Sequence, residues 1–196
     1  MIGITTKKAP TPKAVVPYFI GSSLSFLILG IFFLLSVNTF EQGYLQPKII
    51  ALTHIATLGI ITMMTIGTLH QFIPVVFQAN LKYEKLAFGN FFLFIFSIIL
   101  FIFAFYTKRY FTFLIVASSM TAISLWIFIF NIIMTYLKAK KRDIAAKFIL
   151  TALFWLFLTT VYGLIQAFNF KYAYLGTNTL NYLRIHIIFG LIGWLF

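Results

Sequence analysis

Long apolar runs alternate with short polar stretches along this chain. Most runs exceed the roughly 20 residues that a helix needs to cross a ~30 Å hydrocarbon layer. The pattern predicts spans over residues 14–37, 49–72, 86–106, 111–137 and 144–168, with a sixth beginning near Leu180 and reaching Phe196. The expected fold is therefore all-α, a polytopic transmembrane helix bundle of about six helices forming a single domain over residues 1–196. Only 17 residues remain for the sixth run and no polar flank follows it, so the expectation is a sequence truncated inside a helix, the N-terminal part of a longer protein. The first run follows Lys7, Lys8 and Lys13 but is too long for a signal-peptide core and lacks a small-x-small cleavage site, which predicts a retained helix.

Polar residues inside these runs recur at helical spacing. Asn90 and Ser97 share a face of the third span, and Thr121, Ser124, Asn131 and Thr135 form a stripe on the fourth that should face other helices. Thr151, Trp155, Thr159, Tyr162 and Gln166 form another on the fifth, with two readings: hydrogen bonds to a cofactor edge or a water chain, or polar packing between helices. The second span is the least ordinary. At about 100° per residue, His54, Thr57, Ile61, Thr65 and Thr68 fall on one face, while Gly59, Met63, Gly67 and His70 fall on the other. The glycine face suits close approach of a neighbouring helix. His70 follows His54 by about 24 Å along the axis, too far to share one ion, and reads as structural. On the sixth span His186, Gly190 and Gly193 share a face, which suits either a planar macrocycle or close helix packing.

Composition supports the membrane reading: 62% of residues are apolar and 9% charged, against about 45–50% and about 25% in globular domains. A formal charge of +12 would suggest nucleic acid in a soluble domain, but here the cations cluster between apolar runs, as the positive-inside rule expects, and no nucleic-acid partner is predicted. With the N-terminus cytoplasmic, the inner segments hold ten cations (Lys7, Lys8, Lys13, Lys82, Lys85, Lys138, Lys140, Lys141, Arg142 and Lys147). The outer segments hold five: Lys48, Lys108, Arg109, Lys171 and Arg184. The second and sixth spans then run from outside to inside. His54 and His186, each about six residues into its helix, come to similar depth near the outer side.

The chain has no cysteine, so thiolate metal sites are excluded, and its three acids, Glu41, Glu84 and Asp143, fall in loops or at helix edges. Carboxylate relays within the spans, carboxylate-pair hydrolysis and an acid-oriented Ser-His arrangement are therefore not carried by this sequence, and neither a P-loop nor a dinucleotide fingerprint is present. Histidine ligation remains. Haem is commonly held by axial histidine, and a bis-histidine site in a bundle draws its ligands from facing helices. For His54 the residues alone leave two readings open, a structural hydrogen-bonded histidine and a metal ligand.

The string from His54 through Ala56, Thr57 and Leu58 to Gly59, continuing as Gly67-Thr-Leu-His-Gln-Phe-Ile-Pro74, resembles the second transmembrane helix of subunit I-like proteins in the haem-copper oxidase superfamily. His186-Ile-Ile-Phe-Gly190-Leu-Ile-Gly-Trp194 is similar to a histidine and Gly-Trp motif of divergent bacterial members. The resemblance implies a multi-pass protein of the bacterial inner (cytoplasmic) membrane, working with respiratory subunits or an electron donor. It implies that His54 is an axial ligand of haem iron, with the family's partner ligand on the tenth helix, beyond Phe196. The sixth span departs from the family in lacking the His-Pro-Glu-Val-Tyr copper motif, which puts copper binding and oxygen reduction in doubt. His186 is left with three roles, a copper ligand by position, a haem contact, or neither. The leading expectation is a haem-binding electron-transfer protein with His54 and His186 as cofactor-binding residues. The alternative is a non-redox transporter or structural subunit with a structural His54.

Overall fold

The computed structural model describes residues 9–43, 45–108 and 110–195, without the side chains of Tyr110 and Phe111. Lys7, Lys8, Arg109 and Phe196 of the sequence reading lie outside the described residues. Five helices are long and apolar enough to cross a membrane: α1 (Pro12–Leu34), α2 (Pro47–Val76), α3 (Glu84–Tyr106), α4 (Thr112–Tyr136) and α5 (Ile144–Tyr172). A shorter α6 (Thr179–Ile188) continues into π turns over Phe189–Leu195. Among the described residues there is no strand. The all-α bundle expected from the apolar pattern is what forms.

The helix starts have local causes. Pro12 and Pro47 stand in the first turns of α1 and α2, where the missing N–H removes no intrahelical bond. At the start of α5, Asp143 accepts from the Ala146 N–H at 3.2 Å and pairs with Lys141 at 2.9 Å. One end departs from expectation. Instead of stopping before Pro74, α2 runs through it to Val76, since a proline in the final turn forfeits little of the ladder and the Phe77 N–H still reaches the Ile73 carbonyl.

Short connections make consecutive helices antiparallel neighbours. The glycine face of α2 packs on α1 as expected. A Cβ added at Gly59 would come within 2.8 Å of the Ser25 hydroxyl, and one at Gly67 within 3.1 Å of Tyr18 Cβ. Polar side chains then join α3 to α4: Thr121 donates to Ser97 at 3.0 Å and Ser124 to the Asn90 side-chain oxygen at 2.9 Å. The stripes on α3 and α4 therefore face each other. Outward-facing positions are apolar instead, with Phe26, Leu27, Ile31 and Leu34 of α1 and Phe92, Phe96 and Ile99 of α3 exposed. A bundle that buries its hydroxyls and amides and exposes Phe and Leu is stable in hydrocarbon, where outward polar groups would lose their hydrogen bonds.

Candidate functional site

Two helices bring two histidines together. His54 is the eighth residue of α2 and His186 the eighth of α6, and both helices begin at the same end of the bundle. The α5–α6 connection fixes where α6 begins: Gln166 donates to the Thr179 carbonyl at 3.0 Å, and the Asn169 side chain accepts from the Leu175 N–H at 2.8 Å. The equal depth expected from the sequence is thus realised. The two imidazoles stand 6.5 Å apart between ring centroids, with planes inclined by 19°.

Each ring is held through the same nitrogen. His54 Nδ1 donates to the Ile50 carbonyl at 2.8 Å within its own helix, and His186 Nδ1 donates to the Thr159 carbonyl of α5 at 2.9 Å. A carbonyl oxygen only accepts, so in both neutral rings the proton sits on Nδ1 and the lone pair on Nε2. This is the tautomer and the carbonyl anchoring that metal-binding histidines show. Phe101 packs on His54 at 4.5 Å between centroids and Phe105 lies at 6.3 Å. Against His186, the absent side chain of Gly163 leaves room for the ring, since an added Cβ would come within 3.1 Å of Cε1. Both histidines remain half-buried.

The glycines beside His186 pack helices. A Cβ at Gly190 would meet Thr159 at 3.2 Å and one at Gly193 would meet Trp155 Cγ at 2.6 Å, so α5 fills the space they leave. The fifth-span stripe faces α6 in the same way, with Tyr162 on Tyr182 and Phe189 and Gln166 on the Thr179 carbonyl. Trp155, Thr159, Tyr162 and Gln166 of that stripe pack between helices, while Thr151 bonds back to the Lys147 carbonyl.

The threonines expected beside His54 do not join it. Thr57 bonds back to Thr53 and Thr65 to Ile61. From Ile55 to Thr62 the helix is π-wound, and its i to i+5 bonding shifts the later residues around the axis relative to a uniform α-helix. Thr62 is the hydroxyl that reaches α6, accepting from Trp194 Nε1 at 3.2 Å. His70 lies apart from the site. Its Nδ1 bonds the Ala14 carbonyl at 3.1 Å, and its ring is buried between Tyr18 and Phe128.

Sequence reasoning missed Phe101, Phe105 and Gly163, which carry no polar signal. It also missed an apolar groove of about 550 Å³ between α2, α5 and α6, lined by Thr65, Leu69, Trp155 and Ile192 among others. That groove is lined by neither histidine. Among the described residues no group of three or more His, Cys, Asp or Glu is placed to hold a metal ion. No family model matches the chain, and no curated protein or solved structure matches it either.

Proposed function

We propose that this multi-pass membrane protein binds haem and serves electron transfer, with His54 and His186 as the residues that would hold it. The observation that carries the reading is the pair of imidazoles 6.5 Å apart, each anchored through Nδ1 to a backbone carbonyl so that its lone pair sits on Nε2. Two imidazoles this close would both be within reach of one planar cofactor. The donor set also suits haem better than a bare ion. A four-coordinate zinc or copper site needs three or four protein ligands, whereas a porphyrin supplies four nitrogens of its own and asks the protein for one or two.

Haem, when bound, supplies a one-electron centre; the chain supplies position and surroundings. The Ile50 and Thr159 carbonyls fix both tautomers and raise the basicity of each Nε2. Phe101 and Phe105 cover the ring of His54 with apolar surface, which limits water at the site. The reading further takes the chain as oxidase subunit I-like, departing from that family in drawing the second ligand from His186, in a bacterial inner membrane with its N-terminus cytoplasmic, receiving electrons from a respiratory subunit or donor.

A non-redox protein with a structural His54 is the second reading, and Phe101 favours it. A ring packed at 4.5 Å on phenylalanine and tied to Ile50 is held without a cofactor. Single substitutions separate the two. On the haem reading, His54→Ala in protein made with ample haem lowers haem content sharply, and His186→Ala leaves a five-coordinate iron that binds carbon monoxide. Haem content equal to the unsubstituted chain in both variants would refute the ligand assignment.

A further inference from the structure

At the end of the bundle opposite the histidines, the α2–α3 and α4–α5 connections are stitched into one platform. The Lys140 and Lys141 N–H groups both donate to the Phe77 carbonyl, at 3.0 and 3.4 Å. The Lys82 N–H donates to Thr135 at 3.0 Å, and Asn131 both accepts from the Tyr83 N–H and donates to the Tyr83 carbonyl, each at 3.1 Å. The backbone beneath the basic residues is thereby fixed, which a mere solvated charge run does not require.

Two cations converge on this platform without a carboxylate between them. Lys82 is tied through its N–H to Thr135, one turn before Lys138, so the two lysines are neighbours, and the Lys82 charge lowers the Lys138 ammonium's hold on its proton. The nearby acids are engaged elsewhere: Asp143 pairs with Lys141 at 2.9 Å, and Glu84 accepts from the Thr11 N–H at 3.0 Å. Two like charges held together favour an anion between them. An exposed apolar stripe leads along α4 to the same point, through Phe130, Ile133 and Leu137, with Tyr83 stacked on Phe130. A free anion has no use for that stripe, while a lipid has a chain to lay on it.

We propose that Lys82 and Lys138 bind the phosphate of an anionic phospholipid whose acyl chain lies along Phe130, Ile133 and Leu137. The charge complementarity and the adjoining apolar stripe together specify a lipid. The test measures binding of a fluorescent phosphatidylglycerol to the full chain in uncharged detergent. At about fivefold per lysine, the double variant Lys82→Gln with Lys138→Gln binds roughly twenty-five-fold more weakly. The arginine pair Lys82→Arg with Lys138→Arg retains binding, and the control Lys108→Gln with Lys171→Gln at the other end leaves it unchanged. Equal losses in the glutamine pair and the control overturn the proposal, as does loss in the arginine pair. Displacement of the lipid by inorganic phosphate as effectively as by unlabelled phosphatidylglycerol also overturns it, by assigning the site to a free anion.

Discussion

His186 on α6 hydrogen-bonds the Thr159 carbonyl on α5 at 2.9 Å, and this one contact orients the imidazole that faces His54. It places the acceptor on a different helix from the histidine, so the geometry of the site depends on how α5 and α6 pack. The following expectations separate that packing from the rest of the fold.

Gly193, in the π turns that continue α6, packs closely against α5. A Cβ there would lie 2.6 Å from Trp155 Cγ and 2.7 Å from Trp155 Cβ, and the second atom cannot swing away by a rotamer change. Gly193→Ala is expected to lift α6 and destabilise the protein by about 1–3 kcal/mol. Gly89→Ala is the matched control, because nothing lies within 4 Å of its added Cβ. Thermal unfolding in detergent should show a lower midpoint for the first variant and an unchanged or slightly higher one for the second, since alanine suits a helix better than glycine.

His70→Ala tests the division between the two kinds of histidine. The side chain is buried among Tyr18, Phe128 and the Ala14 carbonyl, and its removal leaves a cavity and takes one of that carbonyl's two hydrogen bonds. A loss of about 2–4 kcal/mol is expected in thermal or denaturant unfolding. Haem bound per folded molecule should not change.

Asn131 is expected to matter more than the hydroxyls around it. Its amide makes two bonds to the Tyr83 backbone, and its truncation leaves the part-buried Tyr83 N–H without its partner while the carbonyl keeps only the Ala87 N–H, at a cost of about 1–3 kcal/mol. Ser124→Ala breaks one bond between side chains, which in a membrane is worth about 0.6 kcal/mol. Comparing the two unfolding midpoints checks the order.

The spans were legible because an apolar run of spanning length has few alternatives, and the stripes of α3 and α4 because helical spacing carries directly into facing positions. Equal depth of His54 and His186 was legible for the same reason, from residue counts along two helices of one direction. Their meeting was not, because the angle of each ring around its helix depends on packing. Thr65 shows the difficulty: counted at a constant 100° per residue it sits under His54, but the π turns over Ile55–Thr62 change the count and bring Thr62 to Trp194 instead. Nothing in the apolar pattern marks that segment. Gly163 was missed because its contribution is the space it leaves.

Acid should act on the start of α5. The Lys141 ammonium and then the Ala146 N–H hold the Asp143 carboxyl below its usual range, so the group favours the folded state above the unfolded value of about pH 3.9. That contribution fades as pH falls through the lower folded value. Hydrogen exchange at the Ala146 amide should therefore accelerate in acid below about pH 4 once the intrinsic rate is corrected for. Asp143→Asn, which caps without a charge, should show no such step.

The account rests on haem, and the most direct measurement is the reduced-minus-oxidised absorption spectrum of the purified, full-length protein produced with ample haem. The bis-histidine reading expects sharp bands of a low-spin haem, about one per chain, that carbon monoxide leaves unaltered. A spectrum without haem bands from folded protein would contradict it and leave His54 as a packed, hydrogen-bonded histidine.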